Sequence, residues 1–316
     1  MKIGVVSNER SHANRKAGSL ADLRGSTDDT IVARLKRSSN GDRADLDAVL
    51  ADFAARGVEV IVVDAGDGTI RDIVTRLDAT YGEEWPALAL IPSGKTNAIA
   101  GDVGHSGMGA AALDRLLAAR DAGTLGRRAT DRPALEVSWP GHRTLRGFLF
   151  GYAAFTEGVR FANERIHTAG VNKGLAVVLS IGGAMRRVMA GPTDGERGAA
   201  ATLSVDGDCV NAGRSFVMLA STLDRLTPGL RPFWDRGRGA VRWLDLPAPL
   251  HRSITGVARM ALGRPKPWME AAGYRSGRAE TLEVSLDTPF VLDGELFDAE
   301  GPINIATTRP IRFLRA

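Results

Sequence analysis

The chain has 316 residues, long enough for two apolar cores, with 44% hydrophobic and 25% charged residues, a globular composition that excludes long disordered tails. A formal net charge of +4 gives no general case for nucleic acid, and the single cysteine, Cys209, excludes an internal disulfide and fits a reducing cytosol. The longest apolar run, residues 174–185, is shorter than the roughly 18 residues that span a bilayer, so the protein is expected in the cytoplasm, with peripheral contact at the inner face of the membrane as the furthest departure.

In chain order, residues 2–7 form a short apolar run, and residues 43–56 put Leu46, Val49, Leu50, Phe53 and Ala54 on one helical face with Gly57 as a stop. Residues 58–65 read as a buried strand, 69–80 as a helix, 87–94 as a strand entering a helix near Thr96, and 107–120 as another helix. This βαβα order predicts a parallel sheet with crossover helices over residues 1–130, completed by a strand at 308–316. Between 131 and 307 short strand-like runs are punctuated by Gly, Pro and Asp, which predicts an antiparallel β-rich domain of sandwich type, with helices at 156–166, 173–189 and 251–262.

Four stretches carry candidate chemistry. Residues 8–16 form a polar, basic loop after the first strand, at the edge of a parallel sheet where nucleotides bind. Gly66, Asp67, Gly68 and Thr69 bring backbone N–H groups and a hydroxyl to a helix N-terminus, which suits phosphate. Asp67 would repel phosphate directly, so a cation or a reacting hydroxyl must accompany it. The stretch lacks the third glycine of a dinucleotide fingerprint and the lysine of a Walker loop. Pro92, Ser93, Gly94, Lys95, Thr96 and Asn97 make a second strand–loop–helix junction on the neighbouring strand. Asp293 and Glu295 lie two apart at the end of a late strand and would face the same side of it, although Asp-Gly is also an ordinary hairpin turn. The five histidines show no metal-ligand spacing.

Taken in order, these elements resemble the catalytic domain of the diacylglycerol kinase family, which includes bacterial lipid kinases and sphingosine kinases. The family's GGDGT stands here as Ala65, Gly66, Asp67, Gly68 and Thr69, its P-x-G-T-x-N-D as Pro92 through Ala98, and its D-G-E as Asp293, Gly294 and Glu295. The resemblance implies a fold shared with NAD kinases in the first domain. It also implies an ATP-dependent, Mg²⁺-assisted kinase that phosphorylates a lipid hydroxyl, a diacylglycerol-like or related acceptor. The nucleotide residues it implies are Asn8, Arg10, Ser11, Gly66, Asp67, Gly68, Thr69, Asp72, Gly94, Lys95, Thr96 and Asn97. Asp67 is the implied metal ligand, and Asp293, Glu295 and Asp67 are the implied catalytic carboxylates.

Three departures stand out. Glu9 replaces the proline after the first-loop asparagine, Lys95 replaces a threonine, and Ala98 replaces an aspartate. An aspartate-rich structural Mg²⁺ site of some bacterial members has its nearest counterpart around Asp235, where Arg236 and Arg238 stand close, and no metal is expected there. Two other functions remain open at this level: an NAD kinase-like enzyme, and a nucleotide-binding regulator without turnover. A basic segment, residues 251–278, has Trp268 within it and reads either as a solvated face with a loop or as a contact for anionic membrane.

Overall fold

Val60, Ile61, Val62 and Val63 are buried one after another, which requires cover on both faces of their strand. In the computed structural model, residues 1–23, 25–35, 44–165, 198–226, 231–234, 236–250 and 253–316 are described. They divide into two units, Met1–Arg132 with Pro310–Ala316, and Pro133–Arg309. The expected helix at 173–189 and Asp235 itself lie outside the described residues.

The first unit opens with β1 (Ile3–Asn8), the short helices α1 (Asn14–Ala17) and α2 (Leu20–Leu23), β2 (Thr30–Leu35) and α3 (Ala44–Ala55). It continues with β3 (Val60–Ala65), α4 (Asp67–Tyr81), β4 (Ala87–Pro92), α5 (Ala98–Val103), α6 (Gly109–Asp121) and β5 (Arg128–Arg132). With β17 (Ile311–Arg315) the strands form one sheet in the order β2-β1-β3-β4-β17-β5, parallel throughout except for the β17–β5 pair. Ile70, Ile73, Val74 and Leu77 recur at helical spacing on α4 and are buried, so this helix covers the sheet with one stripe. Its other buried groups are paired: Arg71 with Asp72 at 2.7 Å, and Arg76 with Asp47 of α3 at 2.5 Å. The strand β2 has no counterpart in the sequence reading, because Thr30, Ala33 and Arg34 dilute its three larger apolar residues.

In the second unit the strands are β6 (Leu135–Ser138), β7 (Leu145–Gly147), β8 (Leu149–Ala153), β9 (Ala199–Val205), β10 (Asp208–Ser221) and β11 (Val241–Pro247). They continue with β12 (Arg275–Ala279), β13 (Leu282–Leu286), β14 (Phe290–Leu292), β15 (Glu295–Phe297) and β16 (Ile303–Thr307). The described helices here are α7 (Ala154–Arg165), α8 (Ser253–Ala261) and α9 (Pro267–Ala271). All eleven strands join one antiparallel sheet, ordered β15-β14-β8-β10-β9-β13-β16-β6-β7, with β11 and β12 branching from β10. The sheet must curl: β7 and β8 are separated by Phe148 alone, yet stand at the ninth and third places of that order. The edge-on packing of Trp139 against Phe290, with ring centroids 5.1 Å apart, joins the two ends across the core.

The run 144–155, apolar enough in sequence to suggest one strand, is β7, β8 and the start of α7. Phe148 sits at the break, and Ala153 takes a φ of 60° before the helix begins. In the basic segment 251–278 the described residues hold α8, close to the expected helix at 251–262, α9 and β12, and β12 pairs with β11. Arg278 donates to the Gly239 carbonyl at 3.2 Å, and Glu270 is paired with Arg236.

Candidate functional site

Strands β3 and β4 run side by side in register, so Ala65 stands opposite Pro92 and the chain leaves the sheet at two adjacent points. At the first, Gly66 alone makes the turn. Helix α4 begins at Asp67, two residues earlier than its apolar spacing suggests, because the Gly66 carbonyl accepts from both Thr69 N (3.0 Å) and Ile70 N (3.3 Å). No side chain caps this end of the helix. A Cβ placed on Gly68 would meet nothing within 4 Å, so the backbone at Gly68, in the first turn of α4, faces open space. The first amides of an α-helix have no partner within it, and an end of this kind favours an anion.

At the second point the chain runs as a loop from Ser93 to Asn97 before α5 starts at Ala98, later than the expected start near Thr96. Asn97 holds the loop closed in a left-handed conformation, φ 53° and ψ 41°, which asparagine tolerates better than most residues. Its Oδ1 accepts from Gly94 N at 2.8 Å, and its Nδ2 donates to the Gly94 carbonyl at 3.2 Å. Lys95 and Thr96 project from the loop and are exposed.

Asp67 joins the two junctions. Its Oδ2 accepts from Ala98 N at 3.1 Å and its Oδ1 from Ile99 N at 3.2 Å, so this carboxylate caps α5 from another helix. Burial pushes the Asp67 carboxyl above its ordinary value, against the opposing pull of the amides of Ala98, Ile99 and Asn97. Ala98 thus stands where the resemblance has an aspartate, and its backbone is bound by Asp67.

The first-strand loop is tied to the same place. Asn8 Nδ2 donates to Thr69 Oγ1 at 2.9 Å, and Asn8 Oδ1 accepts from Arg10 N at 3.0 Å. Ser11 N donates to the Asn8 carbonyl at 3.0 Å, and Ala13 N to the Ser93 carbonyl at 2.9 Å. Arg10 is exposed, Ser11 and Thr69 are buried, and Glu9 is drawn sideways into an ion pair with Arg34. Asp72 is buried against Arg71, one turn down the helix from the bare end. Under these loops sits a residue to which the sequence reading gave no role. Asp64 is fully buried, and its oxygens accept from Ser7, Asn14, Leu20 N and Ser93.

In the second unit the D-G-E stretch is a hairpin. Asp293 (φ 49°) and Gly294 (φ 83°) are both left-handed and form the two-residue turn between β14 and β15, with Leu292 opposite Glu295. Asp293 and Glu295 therefore do not share a strand face, contrary to the alternation argument, because the turn chemistry of Asp-Gly ends the strand between them. The Asp293 carboxylate is fixed: Phe148 N donates to it at 3.0 and 3.1 Å and Leu149 N at 2.9 Å. Glu295 is exposed. Among the described residues no group of three or more His, Cys, Asp or Glu side chains could hold a metal ion by itself. No described helix is long and apolar enough to cross a membrane.

Residues 2–124 match the family model of the diacylglycerol kinase catalytic domain. Over the whole chain the structure is similar to that of a diacylglycerol kinase from Bacillus anthracis str. Sterne, with a TM-score of 0.62 at 14% identity, covering 100% of this chain and 97% of that one. Two further structures from the same organism give TM-scores of 0.61 and 0.63 at the same identity and coverage. At that identity the likeness concerns the fold. A search of curated proteins by sequence finds no match.

Proposed function

We propose, with the match of residues 2–124 to the diacylglycerol kinase catalytic domain as premise, that this protein is an ATP-dependent lipid kinase. It transfers the γ-phosphoryl group of ATP to the hydroxyl of a diacylglycerol-like lipid or related acceptor. The observation that carries the reading is the bare, uncapped N-terminus of α4, where backbone amides and the helix dipole favour phosphate oxygens. Phosphoryl transfer needs positioning and charge neutralisation more than covalent help, and these residues supply both. Gly66, Gly68 and Thr69 offer amides and a hydroxyl, Asn8, Arg10 and Ser11 close one side, and Gly94, Thr96 and Asn97 close the other. Lys95 projects a point charge from the second loop, and Asp72 supports the site through Arg71. Mg²⁺ held by Asp67 together with the ATP phosphates would neutralise charge on the transferred group.

The acceptor hydroxyl must lose its proton, and we assign the general base to Glu295, the exposed carboxylate of the hairpin. Asp293, whose oxygens are held by the amides of Phe148 and Leu149, fixes the hairpin turn that carries it. Exposed Arg264, Lys266 and Arg275, with Leu262 57% exposed beside them, support weak, salt-sensitive attachment of a cytoplasmic protein to anionic lipid.

The test is incubation with γ-labelled ATP, Mg²⁺ and, in separate arms, extracted lipids in anionic vesicles, NAD, or no acceptor. A labelled lipid supports the reading. Labelled NADP would replace it with an NAD kinase-like activity, and ATP binding without any labelled product would leave a regulator.

A further inference from the structure

We propose that Asp64 is the positioning residue for the loops assigned above to the ATP phosphates, an inference that rests on that nucleotide reading. Asp64 lies near the end of β3 among Val62, Val63 and Ala65, all buried, where an apolar side chain would avoid the cost of taking a carboxylate out of water. What the carboxylate adds is one fixed point for four donors from separate parts of the chain. Its Oδ2 accepts from Ser7 Oγ at 2.5 Å, Asn14 Nδ2 at 2.9 Å and Leu20 N at 3.3 Å, and its Oδ1 accepts from Ser93 Oγ.

Three of these donors hold a piece of the candidate phosphate site. Ser7 precedes Asn8, whose side chain reaches Thr69 on α4 at 2.9 Å. Asn14 also donates to the Asn8 carbonyl at 3.0 Å, so it fixes the far limb of the same loop. Ser93 precedes Gly94, and its carbonyl accepts from Ala13 N at 2.9 Å, which joins the first-strand loop to the second. Asp64 is too deep to meet a ligand, being fully buried, and acts only through these neighbours. Without the carboxylate, the buried Ser7 hydroxyl would lose its acceptor and Asn14 Nδ2 would keep only backbone carbonyls, so the loops would shift to satisfy them.

The variants Asp64→Leu and Asp64→Asn separate this role from general support of the fold. Leucine removes the acceptor at similar volume. Asparagine keeps an oxygen for the three donors on the Oδ2 side, while its amide donates to the Ser93 hydroxyl, which can also accept. The measurements are the dissociation constant for Mg²⁺-ATP, hydrogen exchange at the Ala13 and Gly94 amides, and the melting temperature. Asp64→Leu is expected to weaken ATP binding at least tenfold and to speed exchange at both amides at least tenfold, with β3 amides still protected. Asp64→Asn is expected to recover most of both losses. If the leucine variant does not fold, Asn14→Ala, which withdraws one donor, is expected to shift ATP binding and both amides in the same direction. A leucine or Asn14→Ala variant that melts lower but keeps wild-type ATP affinity and slow exchange would overturn the proposal, as would an asparagine variant no better than leucine. Should the wild type bind no ATP, the kinase reading fails, while exchange at Ala13 and Gly94 still decides whether Asp64 sets the loops.

Discussion

Gly66 and Gly94 touch backbone to backbone: a Cβ on Gly66 would lie 2.9 Å from the Cα of Gly94, and one on Gly94 would lie 2.5 Å from the Cα of Gly66. Their missing side chains let the two junctions pack, which is a different requirement from approach by a ligand. Gly66→Ala should therefore cost about 1–3 kcal/mol of stability through overpacking. Gly68→Ala should cost nothing and can gain about 0.5 kcal/mol from helix propensity, yet weaken ATP binding at least tenfold by covering the bare turn. Thermal melts and ATP titrations of both variants check this. Unchanged ATP affinity in Gly68→Ala would remove phosphate from the first turn of α4.

Asp67 caps α5, so its loss has a structural consequence as well as a chemical one. Asp67→Ala should lower stability by about 1 kcal/mol, the usual size of a lost cap. Asp67→Asn keeps an oxygen for the amides, so it should be milder on melting while raising the Mg²⁺ concentration needed for half-maximal rate. A normal Mg²⁺ profile in Asp67→Asn would leave this residue a cap alone.

Lys95 is exposed on the loop that follows β4. Lys95→Met keeps the stem and removes the charge, so the KM for ATP should rise at least fivefold while the lipid KM and the melting temperature stay put. Steady-state kinetics with each substrate varied in turn decides it, and equal change in both constants would contradict a phosphate role.

Asp293 and Glu295 should fail in different ways. Asp293→Ala unpairs the amides of Phe148 and Leu149 and leaves alanine in a left-handed turn, which should cost on the order of 2–4 kcal/mol. Glu295→Gln should leave the melting temperature alone and lower turnover about 10²-fold or more, the scale of a general base. Initial rates at saturating ATP, set beside melts, separate the two. Near-normal turnover in Glu295→Gln would move the base elsewhere.

Asp245, on β11, supplies a pH dependence. It is almost fully buried, accepts from Asn211 at 2.8 Å, and burial pushes its carboxyl from 3.8 up to about 6. The folded state therefore holds a proton that the unfolded chain releases at lower pH. The stability this proton carries is complete below pH 4 and is lost as pH rises to about 6, and the full displacement corresponds to on the order of 3 kcal/mol. Asp245→Asn should flatten the fall in melting temperature between pH 4 and 6.5 and raise stability at pH 7. A variant with the same pH slope as the wild type would assign that slope to other groups.

The parallel sheet was legible because β3 and β4 are buried on both faces and so read as unbroken apolar runs. By contrast, β12 gave no signal: its buried positions are Gly277 and Ala279, which are too small to mark an alternation between arginines. The D-G-E stretch misled in a specific way, since spacing along a strand suggested a shared face where two left-handed residues turn the chain. Asp64 could not be found by any local window. Its partners run from Ser7 to Ser93, and only the fold brings a carboxylate, two hydroxyls, an amide side chain and a backbone N–H to one point.

The strand β17 lies between β4 and β5 in the first sheet, and the whole second unit intervenes in the chain between β5 and β17. Synthesis runs from the N-terminus, so the unit that is begun first has its sheet closed last. Until residues 311–315 leave the ribosome, β4 presents an open edge of buried-type residues, the kind of edge that pairs with the wrong partner. Stalled or shortened chains would accordingly aggregate through their first unit, even though every missing residue comes from the far end of the sequence.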